Sequence, residues 1–336
     1  MNVLVATAMY PTAENPAFGS FVRTQVEALK QAGVDVDVMV LQGRRRKLIY
    51  PSGVVQLRAR LARRPVSLVH AHYGYVGMVA RTQWKVPVVV TYHGDDLLGT
   101  IGANGKTRAL SRWTAAASRL LARTVDAVIV QSEEMASKLD CPNVYVIPHE
   151  VDLQTFRPTE REHARAVLGL DAGKKYLLFA ANPQIAVKRF PLARAAAERL
   201  AAQDPAVELL VVYKETQERL ALYMSACDAL VFPSYQEGSP NIVKQAMACN
   251  LPIVSTDVGD VRKIVADTDG CYVCPPDVAA FAERLGEILR RRERTRGRAR
   301  VGHLDCPNTA GQIIRVYEDT LRSYRPVPTE RGRAAL

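Results

Sequence analysis

The sequence predicts an α/β protein built from two doubly wound parallel-sheet domains that face each other across a cleft. Its 336 residues correspond to about two domains of roughly 150 residues each. Short β-branched runs alternate with longer helical patterns, which favours parallel sheets flanked by helices. Residues 148–158, with a proline at each end and a polar stretch between, interrupt this alternation. We interpret this stretch as the connection between the domains.

Each predicted strand is a short apolar run, rich in valine and bounded by polar or turn residues. In the first half such runs cover residues 2–8, 35–41, 67–71, 86–92, 126–130 and 143–147. In the second half they cover residues 175–180, 207–212, 229–232 and 252–255. Helical patterns cover residues 21–32 and begin again at Phe190, Gln217, Asn241 and Asp277.

The composition is that of a globular protein, with 48% hydrophobic and 24% charged residues. The longest apolar stretches have the length of a strand, so no membrane span is expected, and the first residues lack the basic region of a signal peptide. We therefore expect a cytoplasmic protein. Its six cysteines do not suggest a disulfide framework there. Cys271, Cys274, His303 and Cys306 have zinc-ligand spacing, but a strand-like segment holding the first two favours core thiols.

The net charge of +11 is unevenly distributed. Residues 42–66 hold eight basic side chains and no acidic one, and residues 290–300 hold seven arginines against Glu293. These runs either attract an anionic partner, such as lipid headgroups or a phosphorylated substrate, or form a solvated surface. Aromatic residues, at 7%, are not interleaved with them, so no base-stacking platform for nucleic acid is expected.

The loops that follow strands are the places to look for a site, because ligands of doubly wound sheets bind at the carboxyl ends of the strands. The glycine fingerprint of dinucleotide domains is absent after the first strand, and no phosphate loop of the triphosphatase type occurs. Hydride transfer and P-loop chemistry are therefore disfavoured.

Two loops of the first half carry candidates. His93 follows the strand at 86–92 and could face the cleft as a hydrogen-bond donor or acceptor; alternatively it is a core histidine, with Asp95 or Asp96 capping the next helix. Gly19 and Ser20 precede the helix at 21–32, where free N–H groups could bind a phosphate or simply form a turn.

Two further loops lie in the second half. Lys188 and Arg189 could neutralise a diphosphate or begin a solvated helix. Glu237, in a loop before the helix at 241–248, could accept hydrogen bonds from sugar hydroxyls, while N–H groups at that helix start could hold phosphate. A catalytic pair of carboxylates is the rival interpretation of this loop, although one glutamate does not define it.

The segment EGSPNIVKQAMACNLPIVSTDVGDV resembles the donor-binding motif of family 4 retaining glycosyltransferases, which have the GT-B fold of two facing Rossmann-like domains. The likeness extends over nearly the whole chain, through VHAHYG, VVVTYHGDD and VIPHEVDLQTFRP. It implies an acceptor-side domain at 1–150, a donor-binding domain at 151–308, a helix at 309–325 that returns to the first domain, and a flexible tail at 326–336.

The resemblance also implies roles for individual residues. His93 is similar to the family's cleft histidine, Lys188 to its diphosphate-binding lysine, and Glu237 to the glutamate that contacts the donor sugar. Gly19 matches the loop glycine beneath the diphosphate. Asp95 and Asp96 are candidates for the acceptor side. The remaining donor-site candidates are Ser20, Asn182, Arg189, Gly238, Ser239, Asn241, Ile242, Val243 and Gln245.

Four departures from the family pattern stand out. Gln245 replaces the glutamate expected to bind ribose, and Asn182 stands nearest to a missing arginine for which Arg189 could substitute. Glu150 replaces the usual glycine of the connection. The segment after Val212 is short where many members form the nucleobase pocket, so the base is left open.

The resemblance implies a metal-independent, cofactor-free, retaining hexosyltransferase that moves a sugar from a nucleoside diphosphate to an acceptor. The acceptor is a sugar, a polysaccharide or a lipid-linked molecule of cell-surface polysaccharide or glycolipid synthesis. The basic runs add an expected peripheral contact with an anionic membrane at its inner face, without nucleic acid. The alternatives are a nucleotide-sugar epimerase or hydrolase on the same fold, and a catalytically decayed binding protein.

Overall fold

The computed structural model describes residues 1–41, 49–102 and 105–325. It confirms the predicted fold class, since it contains two parallel sheets in two α/β domains. The predicted strands lie within two residues of the observed ones in the first domain. Its elements are β1 (Asn2–Thr7), α1 (Ser20–Gln31), β2 (Asp35–Val40), α2 (Ile49–Arg63), β3 (Leu68–His72), α3 (Gly74–Ala80), β4 (Val88–Thr91), α4 (Asp95–Leu98), α5 (Ala109–Ala122), β5 (Ala127–Val130), α6 (Glu133–Ala136) and β6 (Val144–Val146).

The second domain is built in the same way. Its elements are α7 (Arg161–Leu168), β7 (Lys175–Phe179), a 3₁₀ turn (Ala186–Lys188), α8 (Phe190–Ala201), β8 (Val207–Val211), α9 (Gln217–Ala226), β9 (Ala229–Phe232), α10 (Asn241–Ala248), β10 (Ile253–Ser255), α11 (Val261–Val265), β11 (Cys271–Val273), α12 (Val278–Arg291) and α13 (Gly297–Val301). A second 3₁₀ turn (Gly302–Leu304) leads into α14 (Cys306–Ser323).

Both sheets are parallel and each contains a switch in strand order. The first sheet runs β2-β1-β3-β4-β5-β6, and the second runs β11-β10-β9-β7-β8. The chain therefore leaves β1 and β3 in opposite directions, and likewise β7 and β9. Such switch points open a crevice at the carboxyl ends of the strands. The loops after β1, β4, β7 and β9 lie at these edges, which is where the sequence places its candidates.

The chain crosses between the domains twice, along neighbouring paths. Val151 forms an isolated parallel bridge with Asp305, and its N–H donates to the carbonyl oxygen of Leu304 at 2.8 Å. After the second crossing α14 begins three residues earlier than the predicted helix, because the side chain of Asp305 caps it by accepting from the N–H of Asn308 at 2.9 Å.

The last helix completes the core of the first domain. Ile313, Val316 and Tyr317 of α14 are buried in one cluster with apolar residues of β1 and α1. The Tyr317 hydroxyl also lies 2.6 Å from Nδ1 of His70 on β3. The first domain thus depends on the far end of the chain for part of its interior.

Several arginines of the two basic runs bond to other groups of the protein. Arg298 donates to the carbonyl oxygens of Leu153, Phe156 and Ala248 at 2.7 to 3.2 Å, and Arg294 donates to the carbonyl oxygen of Met224 at 3.0 Å. In the first run, Arg60 and Arg64 pair with Asp37 and Asp35 of β2. Arg44, Arg45, Arg46 and Lys47 lie outside the described residues, as does the predicted tail at 326–336.

The cysteines with zinc-ligand spacing do not converge. Cys271 lies 3.8 Å from the sulfur of Met247, and Cys271, Cys274 and Cys306 pack against three different hydrophobic clusters. Burial raises the pKa of the Cys271 thiol to about 12, which opposes thiolate formation. Each helix within residues 1–41, 49–102 and 105–325 is too short or too polar to cross a bilayer.

We expect Ile313→Ala to lower the free energy of unfolding by about 2–5 kcal/mol, because it leaves a cavity between α14 and the sheet of the first domain. Urea unfolding followed by circular dichroism measures the change. The matched control is Glu318→Ala on the exposed face of the same helix, with an expected change within about 0.5 kcal/mol. Equal stability of both variants would show that α14 does not contribute to the core.

Candidate active site

Two loops from different domains meet at the centre of the cleft. The first follows β4 and contains His93 and Gly94, and the second follows β9 and contains Glu237 and Gly238. A Cβ atom added at Gly238 would lie 3.3 Å from the Cα of Gly94 and 2.8 Å from the Sδ of Met135. A side chain at Gly238 would therefore crowd the facing loop, since the contact to the sulfur is shorter than real Cβ atoms show and the contact to the Gly94 backbone is tighter than most. The absence of a side chain lets the domains approach each other here.

Lys188 and Glu237 form an ion pair at the switch point of the second sheet. Lys188 ends the 3₁₀ turn after β7, and Glu237 follows the neighbouring strand β9. The Lys188 Nζ lies 2.7 Å from Oε1 of Glu237, and both side chains are partly buried. The fold thus brings together two residues that are 49 positions apart and that the sequence predicted separately.

The two aspartates after Gly94 occupy different environments. Asp96 is buried, and its carboxylate accepts from the N–H groups of Gly74, His93 and Gly94 at 3.0 to 3.2 Å. Burial nevertheless raises its pKa to about 7. Asp95 is the more exposed of the two residues, and partial burial of its carboxyl group, followed by the nearby Glu237 carboxylate, raises its pKa. Asp96 therefore holds the histidine loop in place, whereas Asp95 stands beside the ion pair.

His93 belongs to a row of histidines. Its Nε2 lies 3.1 Å from Nδ1 of His72, and its Nδ1 lies 2.9 Å from Nε2 of His149. The rings of His93 and His149 are stacked, with centroids 4.9 Å apart. His70 packs against His72 at 4.5 Å, and its Nε2 lies 2.6 Å from Oγ1 of Thr91. Both nitrogens of His93 are thus engaged by other histidines in this structure.

The protonated, cationic form is disfavoured for all four histidines of the row. Burial lowers the pKa of His72 to about 3 and holds the pKa values of His70, His93 and His149 well below the usual 6.5. The neighbouring rings lower the pKa of His93 further. At neutral pH the row consists of neutral rings: His72, His93 and His149 are joined by hydrogen bonds, whereas His70 contacts His72 only by ring packing.

The loop after β1 approaches the histidine row from the other side. Gly19 caps α1 with a positive φ of 71°, and a Cβ there would lie 2.6 Å from the carbonyl carbon of Met9. The ring of Phe21, in the first turn of α1, lies 4.9 Å from His93 and 5.0 Å from His149. The local backbone therefore requires a glycine at position 19, whatever binds above it.

A cavity of about 230 Å³ lies between the domains beside this helix start. Four predicted donor-site residues from both domains line it, namely Ser20, Asn241, Ile242 and Gln245. Its other lining residues are Ala17, Phe21, Thr24, Glu150, Asp152, Phe156, Glu215, Gln217 and Leu220. The lining combines polar and apolar groups and comes from α1, α9, α10, the loops before α1 and α9, and the interdomain connection.

Two buried ionisable residues, Lys244 and Glu150, lie at this cavity. Lys244 of α10 is fully buried and donates from Nζ to the carbonyl oxygen of His149 at 3.2 Å. Burial lowers its pKa to about 8 and raises that of neighbouring Glu150 to about 7. Gln25 lies 3.5 Å from Oε2 of Glu150, and no hydrogen-bond partner of Oε1 is found among the described residues.

Two of the remaining predicted donor residues, Arg189 and Asn182, contact protein groups outside the ion pair. The guanidinium of Arg189 lies over the ring of Tyr235 at 4.2 Å and donates to the carbonyl oxygen of Pro276 at 3.2 Å. Asn182 accepts from the N–H of Gln184 at 3.0 Å. Arg189 thus faces away from the ion pair in this structure, and its role toward a diphosphate stays a prediction.

Two further predicted residues already have partners. Ser239 donates to Asp260 Oδ2 at 2.7 Å. The N–H of Val243 donates to the carbonyl oxygen of Pro240 at 3.2 Å, which leaves the N–H groups of Asn241 and Ile242 as those expected to be free at the start of α10.

We did not predict from the sequence that His70, His72 and His149 lie beside His93, or that Lys244 of α10 is buried near them. The H-x-H spacing at positions 70 and 72 puts both side chains on one face of a strand, which is the signal that could have revealed them. His149 and Lys244 gave no such signal, because their position beside the site depends on how the two domains meet.

Two family models match the chain. Residues 18–155 match the model described as glycosyltransferase family 4, and residues 172–291 match the one described as glycosyl transferases group 1. The first range contains Gly19 and His93, and the second contains Lys188 and Glu237.

Proteins of known name resemble the chain over most of its length. The D-inositol 3-phosphate glycosyltransferase of Mycobacteroides abscessus is 29% identical over 318 residues, covering 80% of this chain and 70% of that protein. A putative teichuronic acid biosynthesis glycosyltransferase, TuaC of Bacillus subtilis, is 26% identical over 349 residues, covering 85% of this chain and 88% of that protein.

Solved structures share the fold. Sucrose-phosphate synthase from Thermosynechococcus elongatus superposes with a TM-score of 0.81 at 22% identity, over 96% of this chain and all of that one. Anabaena HepE in complex with UDP and glucose superposes with a TM-score of 0.71 at 16% identity, over the same shares. With the facing parallel sheets and the residues gathered between them, these matches show that the chain belongs to the family 4 glycosyltransferases of GT-B fold.

Proposed function

We propose that the protein is a retaining glycosyltransferase that transfers a sugar from a nucleoside diphosphate to an acceptor of cell-surface polysaccharide or glycolipid synthesis in the cytoplasm. The observation that carries the proposal is the ion pair between Lys188 and Glu237, placed at a switch point and facing the histidine loop of the other domain. The named relatives support a glycosyl acceptor, and the UDP in the HepE structure supports a nucleotide donor.

The donor's diphosphate binds between Lys188 and the start of α10. The free N–H groups of Asn241 and Ile242 offer hydrogen bonds to phosphate oxygens, and the helix dipole adds to their attraction. Without donor, Glu237 compensates the charge of Lys188. When a phosphate binds Lys188 in place of Glu237, the Glu237 carboxylate becomes free to accept hydrogen bonds from hydroxyls of the sugar. Glu237 therefore compensates the charge of Lys188 until a phosphate of the donor does so.

The nucleoside occupies the cavity beside α1. Glu150 and Glu215 line this cavity together with Gln245, so carboxylates remain available to a ribose diol although position 245 is an amide. Glu150 is the better placed candidate, because its Oε1 is buried without a partner among the described residues. We assign to Glu150 the hydrogen bond to ribose that the glutamate replaced here by Gln245 is expected to make.

Transfer follows without a protein nucleophile. The bond between the anomeric carbon and the phosphate oxygen breaks, and the acceptor hydroxyl bonds to the same face of that carbon. The hydroxyl proton passes to the departing phosphate oxygen. Lys188 and the α10 N–H groups stabilise the charge that develops on this oxygen. This electrostatic stabilisation is the main contribution of the protein to catalysis. No metal ion takes part in this scheme.

The histidine row acts as a neutral scaffold at the reacting end. His93 reaches a sugar hydroxyl by exchanging one of its two histidine contacts for the substrate, and the other contact then fixes its tautomer. Because burial disfavours a charge on each ring, the row provides hydrogen bonds and no positive charge.

Lys188→Ala and Glu237→Ala are each expected to lower kcat/KM by about 100-fold or more, because each removes a contact to the donor. Release of nucleoside diphosphate from UDP-, GDP- and ADP-sugars measures the loss. Arg199→Ala and Glu198→Ala, on the exposed face of α8, are the matched controls and should keep full activity. Full activity of both site variants would contradict the assignment and favour the decayed binding protein, whereas inverted product stereochemistry by NMR would exclude retention.

Acid should destabilise the protein through its histidine row. In the folded chain His72 stays neutral down to about pH 3, whereas in the unfolded chain it binds a proton below about pH 6.5. The unfolded state therefore gains protons as the pH falls from 6.5, and His72 alone lowers the free energy of unfolding by about 1.4 kcal/mol per pH unit.

His72→Gln should reduce the slope of unfolding free energy against pH, between pH 6 and pH 4.5, by about that amount. Urea unfolding at several pH values measures it. The control is His163→Gln, which makes the same substitution at an exposed position of α7 outside the histidine row. An unaltered slope in His72→Gln would show that this ring is not held neutral.

A further inference from the structure

Helix α5 presents an unusual outward face. Its inner face packs into the first domain through Ser111, Ala115, Ser118, Leu121 and Ala122. On its outer face Leu110, Trp113 and Leu120 are 78%, 76% and 65% exposed. At 3.6 residues per turn these three side chains lie on one stripe, together with the exposed Ala116 and Ala117. A stripe of this kind costs free energy when it remains in water.

A row of positive charge borders this stripe. Arg108, Arg112, Arg119 and Arg123 are exposed and share one edge of the outer face, because their spacing follows the turn of the helix. Arg123, at the end of the row, pairs with Asp140 at 2.9 Å. Between Gly105 and Val125 the sequence has five basic residues and no acidic one. The helix therefore combines an apolar stripe with a cationic edge.

A basic cavity lies next to the same edge. It has a volume of about 510 Å³ and is lined by Leu98, Lys106, Thr107, Arg112, Ala115 and Arg119. Three of these residues are cationic and none is acidic. Arg119 also donates to the carbonyl oxygen of Leu97 at 3.4 Å, which ties the cavity to α4. Since α4 begins directly after His93 and Gly94, the cavity is one short helix away from the cleft.

We propose that the outer face of α5 docks the protein on an anionic lipid bilayer, with Leu110, Trp113 and Leu120 in the interface and a lipid phosphate in the basic cavity. Tryptophan and leucine beside arginine are the composition of helices that lie in the plane of a membrane interface. A convex helix face with one sign of charge fits a negatively charged surface. The cationic edge is what favours a bilayer over a second copy of this chain, whose net charge of +11 would repel it.

Docking through α5 goes beyond sugar transfer and does not require turnover. It places the cleft opening beside the lipid surface, because α5 and α4 pack against each other and α4 follows the histidine loop. An acceptor held in the membrane would then reach the first domain from the side of α5. Failure of docking would leave the donor chemistry of Lys188 and Glu237 intact, so the two proposals can be distinguished.

Binding of the full chain to vesicles tests the proposal. Vesicles of phosphatidylcholine and phosphatidylglycerol in a 7:3 ratio should bind it, and pure phosphatidylcholine should bind it at least tenfold more weakly. Arg112→Gln with Arg119→Gln should lower the partition coefficient by about 25-fold, at about fivefold, or 1 kcal/mol, for each arginine. Leu110→Ser with Trp113→Ser should also abolish most of the binding. In a Trp84→Phe background, Trp113 fluorescence should shift to the blue on binding.

The control variants carry the same changes elsewhere. Val167→Ser and Arg199→Gln alter exposed residues of the second domain and should bind vesicles like the parent. Because all substituted side chains are exposed, thermal unfolding should be unchanged. Absence of vesicle binding by the parent, or equal binding by parent and α5 variants, would overturn the proposal. Dimerisation that Trp113→Ser removes, without vesicle binding, would instead identify the face as a contact between copies.

Discussion

The close approach of backbone at Gly94 and Gly238 is the constraint on which the site depends. A Cβ atom on Gly238 would crowd the Cα of Gly94 at 3.3 Å, and Gly94 has a φ of 120° that side chains rarely adopt. Glycine at both positions therefore lets the histidine loop of one domain lie against the glutamate loop of the other. Two parallel connections, at Val151 and Asp305, hold the sheets in this relation. Because the carboxyl ends of both sheets face the same gap, residues distant in sequence converge there. A side chain at Gly238 would crowd the facing loop, and one at Gly94 would strain the backbone next to His93.

Polar groups in the cleft are paired with one another in ways that a ligand can exchange. Glu237 forms an ion pair with Lys188, and His93 is hydrogen-bonded to two other histidines. Glu150 and Lys244 share a buried region where the ordinary charge of each is disfavoured. Such arrangements lower the cost of keeping ionisable residues partly buried, since each retains some compensation.

Local patterns predicted much of this structure. Valine-rich runs identified the strands, and strand ends identified the loops of His93, Lys188 and Glu237. The strand at Cys271–Val273 was recognised only as strand-like, because three residues give little periodicity. Sequence could not place His149 beside His93, since that contact requires the connection to pass the cleft. Nor could it show that Arg298 is used inside the fold, because charge runs carry no information about which carbonyl groups lie nearby.

Thermal unfolding in the presence of nucleotides tests the central claim most directly, namely that the cleft between Lys188, Glu237 and α10 is a nucleoside diphosphate site. UDP, GDP, ADP and CMP are compared at moderate and high salt, with Lys188→Ala beside the parent. A nucleotide at 100 times its Kd adds about 2.7 kcal/mol to the free energy of unfolding, enough to raise Tm by several degrees. We predict that one nucleoside diphosphate stabilises the parent at both salt concentrations and stabilises Lys188→Ala far less. Stabilisation of neither protein by any nucleotide, or of both equally, would contradict the account.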